Sequence, residues 1–590
     1  MISTLPPTSR TDRLTAWWEW SLFATVLLTC ALAMSFNLAD PDFWGHVQYG
    51  RDALTDGLPA TATYTYTAEG YPWVNHENLA EYLMAWGVAG PGPGGMLVIK
   101  SLLGIGLLML IYRRAAKQGV SAMAIYSSML LVAVNLMPSW TLRPQLMTYV
   151  LFALMIVLCD WCFADWQTPW RALLDRQAVE APDAAMFAEY RRRWPWLLLL
   201  LPLFVIWTNA HGGFVAGFCI LAVYLGGRSV EALARWGRRG LPLVAWLATV
   251  VLACGLATFV NPYGVGLHRW LFGAMHVPPP EIMEWHPPKL FSLASSPWWI
   301  MLGVSLVALS VTRRPRDLVQ LTVLGVTMWQ ACEYRRHIAF YAILFGFWMP
   351  VHVDSWLRRL RRIRSRDVRF ERLSPRVRWA LLGTLLLGMG LVSWKLASRL
   401  RQIPVPRDGY PVAAFQYITD RNLQGNLVVK MKWAQYAVAA FGPASTERPP
   451  LRVAFDGRFD TCYPQEVLDM YFDFEIGQVP LTMRRRSPQS PPVDGGRILT
   501  YRQPHLVLID RRDPHPVQVM EQHRDRWIVL YQDAVAQLWG RRDVYDDPEH
   551  PQYLPQGART IGDAPQTGTV PWPALPRRPP PLALAGMASP

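Results

Sequence analysis

The chain has 590 residues and a formal net charge of +15, from 58 Lys and Arg against 43 Asp and Glu. Only 17% of residues are charged, 52% are hydrophobic and 28 are Trp. This excludes a disordered chain and argues against an ordinary cytosolic globule, in which roughly a quarter of residues are charged. Seven Cys in this length exclude a disulfide-stapled scaffold.

A membrane-crossing helix needs about 20 mostly apolar residues. Eleven runs qualify in chain order: 18–38, 95–112, 121–137, 145–164, 194–209, 213–227, 241–260, 297–312, 317–333, 338–353 and 379–397. A further stretch, 79–90, reads as re-entrant or interfacial, because Glu77 and Glu81 are costly in lipid. The first run contains Ala31-Leu32-Ala33, the form of a cleavage site, but its length and Trp17, Trp18 and Trp20 favour a retained span.

Charge tests this division independently. With residues 1–17 inside, the inside segments hold Arg113, Arg114 and Lys117; Arg171, Arg176 and Arg191 to Arg193; Arg228, Arg235, Arg238 and Arg239; Arg313, Arg314 and Arg316; and ten Arg between 358 and 378. The outside loops hold Arg51, Arg143, Arg269, Lys289, Arg335 and Arg336. The excess repeats at every inside loop and predicts an N-inside, C-outside topology. The net charge is therefore spent on membrane orientation, and nucleic acid is not an expected partner.

Residues 18–400 form the predicted membrane domain, with a first outside loop at 39–94. Beyond Leu400 the apolar runs shorten to strand length, as in Leu427-Val428-Val429, Arg452 to Phe455, Leu506 to Ile509 and Trp527 to Leu530. Helical stretches, such as 411–422 and 465–474, alternate with them. The expectation is a soluble α/β domain at 401–548, outside the membrane, followed by a disordered Pro-rich tail at 549–590. The fold class is thus a polytopic α-helical membrane protein of about eleven spans with a C-terminal α/β domain.

Unusual polar residues collect on the outside. The first loop opens Asp40-Pro41-Asp42-Phe43-Trp44-Gly45-His46 and later holds Asn75-His76-Glu77. Arg143 follows in a very short turn, then Asn209 and His211, then Glu284, then Arg335-Arg336-His337. Capping by Asp40 and turn formation by Gly212-Gly213 and Asn261-Pro262 are the plain readings of some of these. Arg143, Arg335 and Arg336 run against the charge rule and call for an anionic partner: lipid headgroups or a bound substrate phosphate. Carboxylates faced by Arg suit transfer of a sugar whose leaving group is already a phosphate. The departing phosphate needs charge neutralisation, and the attacking hydroxyl needs one base. Asp40, Asp42 and His46 are equally a candidate set for a divalent cation. Cys159 and Cys162 have redox spacing, but without a surrounding βαβ pattern they read as packing. Asp456-Gly457-Arg458-Phe459-Asp460 is a turn of either structural or functional weight.

These residues resemble the GT-C superfamily of polytopic membrane glycosyltransferases, whose bacterial members use polyprenyl-phosphate sugars. The resemblance rests on Asp40-Pro41-Asp42 in the first outside loop, the run through Trp73-Val74-Asn75-His76-Glu77, Arg143-Pro144, Asn209 with His211, and Arg335-Arg336-His337. It implies that one first-loop Asp acts as base or as a metal-linked positioner, carried over to Asp40 first and Asp42 second. The acceptor-binding Trp-Trp-Asp motif of oligosaccharyltransferases has only a distant echo in Lys432-Trp433-Ala434-Gln435-Tyr436.

The expectation is therefore a glycosyltransferase of a bacterial inner membrane, with a divalent cation as candidate cofactor. Its partners are a polyprenyl-phosphate or pyrophosphate sugar donor, a lipid, glycan or protein acceptor, and membrane lipid. His46, His76, Glu77, Arg143, Asn209, His211, Glu284, Arg335, Arg336 and His337 are its candidate substrate contacts. The competing reading is a transporter or flippase of lipid-linked glycans, which would place ionisable groups near the bilayer midplane rather than at one rim.

Overall fold

The structure is a computed structural model that describes residues 10–164, 166, 191–274, 279–363, 370, 373–442 and 450–577. Arg171, Arg176, much of the Arg-rich stretch 364–372 and residues 578–590 lie outside the described residues. The chain divides into two compact units. One comprises Met1–Phe36, Gly95–His268 and Ile282–Arg401; the other comprises Asn37–Gly94, Arg269–Glu281 and Gln402–Pro590.

The first unit is helical, and each of the eleven apolar runs falls on helix. Among the described residues, six helices are long and apolar enough to cross a membrane, or seven if the bent pair Arg335–Trp348 and Pro350–Leu360 is one span. That pair bends by 63°, because Pro350 has no N–H to donate and disfavours helix in the residue before it. One of the six runs from Phe214 to Ala257, 44 residues. It does not run straight. A methyl on Gly255 would lie 3.3 Å from Phe218 Cζ, so the chain reverses near Gly237–Gly240 and the two halves lie side by side.

Ile338–Trp348 is buried on all sides, as expected of an apolar helix without a polar face. Gly346 allows its close approach, since a Cβ there would collide with Ile111. The buried carboxylates of this unit are matched by Arg. Arg228 is 1% exposed and donates to Glu231 at 2.8 Å and to Asp317 at 2.6 Å. Arg114 pairs with Asp160 at 2.7 Å, and Trp348 Nε1 donates to the same carboxylate at 3.0 Å. Buried Lys100 donates to the Phe36 carbonyl. Cys159 and Cys162 are unbridged and buried, consistent with packing.

The second unit is built on a six-stranded sheet in the order β3-β2-β4-β6-β5-β7. Its strands are β2 (Gly425–Val429), β3 (Leu451–Val453), β4 (Leu506–Asp510), β5 (Trp527–Gln532), β6 (Ala536–Arg541) and β7 (Thr560–Ile561). β3, β2 and β4 run parallel, β6 is antiparallel to β4 and β5, and β7 is parallel to β5. β4 is buried throughout, which is why it reads as an unbroken apolar run.

The 37–94 segment belongs to this unit. Tyr66 donates from its backbone to Val453 O at 3.2 Å, and Val453 donates back to Tyr64 O at 3.3 Å. The loop thereby covers the edge strand β3, whose open hydrogen-bonding groups would otherwise invite another chain.

The Pro-rich segment differs from expectation. Residues 551–577 are ordered: β7 pairs with β5, and β8 (Thr569–Pro571) pairs with β1 (Pro404–Pro406) in a separate two-stranded sheet. Trp572 is buried against Phe43 at 4.8 Å between ring centres, and Trp44 Nε1 donates to Pro573 O at 2.8 Å. Proline excludes helix and central strand but is accepted in edge pairs like this one, so a Pro-rich composition does not preclude docking.

Arg228→Met leaves two carboxylates buried without a counter-charge. It should cost about 3–5 kcal/mol and lower the thermal unfolding midpoint of the detergent-solubilised protein; an unchanged midpoint would show that the network adds no net stability.

Candidate active site

The acidic pair of the first loop lies at the start of the helix Phe43–Asp56. Asp40 Oδ1 accepts the backbone N–H of Asp42 at 3.0 Å, a local turn that fixes where the helix begins. Asp42 occupies the cap position, yet its side chain makes no capping bond to that helix. Its carboxylate is turned elsewhere: a methyl on Gly457 would lie 2.8 Å from Asp42 Oδ1 and 2.8 Å from Gln435 Nε2. A methyl on Gly45 would collide with Gln435 Oε1. Two glycines more than four hundred residues apart thus admit one carboxamide beside Asp42.

The sheet explains this meeting. Gln435 lies just after β2 and Gly457 just after β3. Both sit at the carboxyl edge of parallel strands, where open α/β sheets present their functional loops. The Asp456–Asp460 turn is rigidly held. Arg458 grips Asp456 through Nε at 2.9 Å and Nη2 at 2.8 Å, and its guanidinium lies over Trp73 at 4.5 Å, Tyr49 at 5.0 Å and Tyr64 at 5.3 Å. Tyr49 belongs to the helix that Asp42 begins, and Tyr64 and Trp73 to the first loop. The turn is a clamp that joins all three segments.

One helical turn beyond Asp42 is His46. Its Nδ1 lies 3.0 Å from Glu81 Oε1 and 3.9 Å from Glu77 Oε2. Asn75 Nδ2 donates to Glu81 Oε2 at 2.6 Å, and the Glu77 N–H donates to Asn75 Oδ1 at 3.1 Å. Gly50 lets the helices Phe43–Asp56 and Asn78–Ala89 touch, since a Cβ there would strike the Glu81 carbonyl. Burial disfavours the charged imidazole, but the hydrogen bond to Glu81 and the charges of Glu77, Glu81 and Asp42 outweigh it and raise His46 to about 9. His76 stacks on Trp270 at 4.9 Å between ring centres and lies 3.8 Å from Glu77.

The cation set therefore needs correction. Among the described residues, the group whose ligand atoms lie within 4.8 Å of one another is His46, Glu77 and Glu81, not Asp40, Asp42 and His46. Asp40 is engaged with the backbone of its own turn, and Asp42 is directed to Gly457. Glu81 was missed as a site residue. Its signal was there: a carboxylate four residues after Glu77 in an otherwise apolar helix needs a partner. One imidazole nitrogen and two carboxylates, buried and converging, fit a divalent cation.

In the other unit, three of the segments singled out in the sequence meet. Arg143 Nη1 pairs with Glu284 Oε1 at 3.0 Å. The Arg336 guanidinium lies 4.2 Å over the Trp285 ring, which also packs edge-on against Tyr334 and His337. Arg335 donates its backbone N–H to His286 O at 3.1 Å. Glu284 thus offsets Arg143, whereas no carboxylate among the described residues pairs with Arg335 or Arg336. Asn209 donates to the carbonyls of Val205 at 2.7 Å and Val260 at 2.8 Å. His211 Nδ1 accepts from the Gly213 N–H at 2.9 Å and lies 2.9 Å from Thr148 Oγ1. These two residues hold a helix-to-helix turn.

No protein-family model matches the chain, and no curated protein sequence matches it. Among solved structures, ArnT from Cupriavidus metallidurans, bound to undecaprenyl phosphate, superposes with a TM-score of 0.50 at 13% identity over 93% of this chain and 100% of that one. The chain has a GT-C fold. The Archaeoglobus fulgidus oligosaccharyltransferase, tethered to an acceptor peptide, gives a TM-score of 0.49 at 10% identity, covering 84% of this chain and 70% of that one. The arabinofuranosyltransferase AftD from Mycobacteria gives 0.40 at 12% identity, covering 89% of this chain and 40% of that longer one.

The raised His46 has a thermodynamic consequence. Its contribution to stability is full below its ordinary value of 6.5 and is lost as pH rises through about 9. In chelator-containing buffer, the thermal midpoint of the wild type should fall between pH 6.5 and 9, and His46→Gln should flatten that fall; parallel curves for the two proteins would refute the assignment.

Proposed function

We propose that this GT-C protein is an integral-membrane glycosyltransferase, moving a sugar from a polyprenyl-phosphate or pyrophosphate donor to an extracytoplasmic lipid, glycan or protein acceptor. The observation that carries the reading is Asp42. It is a carboxylate at a helix start that does not cap its helix, set beside Gln435 and Gly457 and one turn from His46, Glu77 and Glu81. The ArnT structure is bound to undecaprenyl phosphate, which supports a lipid-linked donor here.

In this reading Asp42 is the base and Asp40 its positioner, the reverse of the order carried over by resemblance. The change rests on Asp40 Oδ1 being held by the Asp42 N–H. The acceptor hydroxyl gives its proton to the Asp42 carboxylate as its oxygen bonds to the anomeric carbon. The bond from that carbon to the phosphate oxygen breaks, and the electron pair leaves with the phosphate. Within the helical unit, Arg335 and Arg336, the latter against Trp285, are the groups we assign to binding an anionic phosphate. His46, Glu77 and Glu81 would hold a divalent cation, whose charge would favour an anionic donor in the site. In the absence of a cation, the proton on His46 partly offsets the two glutamates.

The wider setting belongs to the same proposal: eleven crossings of a bacterial inner membrane, the N-terminus inside and the C-terminal domain outside. The reversal between Phe218 and Gly255 supports counting two crossings in the 44-residue helical stretch. Lipid-linked glycan transport finds less support, because Arg228, Glu231 and Asp317 are buried in mutual pairs rather than lining a path.

The test is transfer of radiolabelled sugar from purified polyprenyl-phosphate donors to a native acceptor extract. Asp42→Asn should lose about 100-fold or more, Asp40→Asn less, and a chelator should lower the wild-type rate. No transfer by folded wild type from any donor, with saturable donor flipping instead, would replace the reading with transport.

A further inference from the structure

Gln435 is 3% exposed, in a stretch of helix where Trp433, Ala434, Tyr436, Ala437 and Val438 are also buried. Its Oε1 has no hydrogen-bond partner among the described residues. A buried acceptor left unpaired costs about 1–3 kcal/mol, and an apolar side chain of similar size would occupy the space without that cost. Packing alone therefore gives no reason for an amide here.

The surroundings supply one. Gly45 leaves the space that Oε1 occupies, and across Gly457 the Nε2 atom and Asp42 Oδ1 lie 2.8 Å from one common point. The orientation of the amide is the one electrostatics requires, because the reverse would set its oxygen toward the carboxylate oxygen. Gly457 is held in place by the Asp456–Arg458 pair beneath the rings of Trp73 and Tyr49.

We propose that Gln435, contributed by the C-terminal domain, is a positioning residue for Asp42. Its amide nitrogen faces the Asp42 carboxylate across Gly457; by donating to one carboxylate oxygen as the acceptor binds, it would present the other to the acceptor hydroxyl. This rests on the reading of Asp42 as the base. It makes the C-terminal domain part of the reacting site, since a base lacking Gln435 retains its chemistry but not its orientation.

The test uses the full-length protein in lipid nanodiscs. Gln435→Met keeps length and volume and removes the amide. It should lower kcat by about 10–100-fold with the donor KM within about twofold, and should add nothing to the loss already caused by Asp42→Asn. Gln435→Glu, equally conservative in shape, sets a carboxylate toward Asp42 and should lose more; it also serves if Gln435→Met is recovered in poor yield. An unchanged kcat, a loss carried by KM alone, or an equal fold-loss in wild-type and Asp42→Asn backgrounds would overturn the proposal.

Failure of the parent reading is separable through thermal midpoints of wild type, Asp42→Asn, Gln435→Met and the double variant. Non-additive shifts support the coupling even if no donor is turned over, and additive shifts overturn it.

Discussion

The guanidinium of Arg458 is the point on which the sheet-containing unit turns. It neutralises Asp456 within its own loop and presents its face to aromatic rings from the 37–94 segment, including the helix that Asp42 begins. A buried charge is tolerated only when paired and hydrogen-bonded, and here the pairing is local while the stacking is long-range. The loop that follows β3, the helix Phe43–Asp56 and the segment around Trp73 are therefore fixed to one another. Gly457 meets Asp42 and Gln435 because its neighbour is anchored in this way. The glycine itself is required because no side chain fits there.

Charge elsewhere follows the same economy. In the helical unit Arg228 is shared by Glu231 and Asp317, and Arg114 is matched by Asp160. In the 37–94 segment His46 is set between Glu77 and Glu81, with Asn75 orienting the latter. The Arg228 and His46 sets each carry two carboxylates for one basic side chain. They differ in the base: a guanidinium keeps its proton, whereas an imidazole can release it and offer a ring nitrogen, so the His46 set suits a cation. Arg335 and Arg336 present an excess of positive charge, which suits a phosphate.

Much of this was legible in the chain. Apolar runs of membrane-crossing length all proved helical, because such segments can satisfy their backbone hydrogen bonds only within themselves. Asp42 was singled out by its position at the end of the first run, and His46 by its proximity to it. Asn209 and His211 were singled out for the same polar character and instead hold a turn, because turn-forming and ligand-binding residues are drawn from one small set of side chains. The part of the tail up to residue 577 departs from the expectation for a related reason. Its proline content says what backbone it cannot adopt, whereas Trp572 decides that it docks on Phe43.

The sequence by itself determined the apolar helices, four of the strands of the C-terminal region and the acidic pair of the first loop. These are local properties, set by side-chain period, run length and composition over windows of about 20 residues. Only the tertiary structure decided that Gln435 and Gly457 stand beside Asp42, that Glu81 completes the set around His46, and that the first loop packs on the C-terminal sheet. Those outcomes depend on which buried surfaces fit together across hundreds of residues, and no local period encodes that fit.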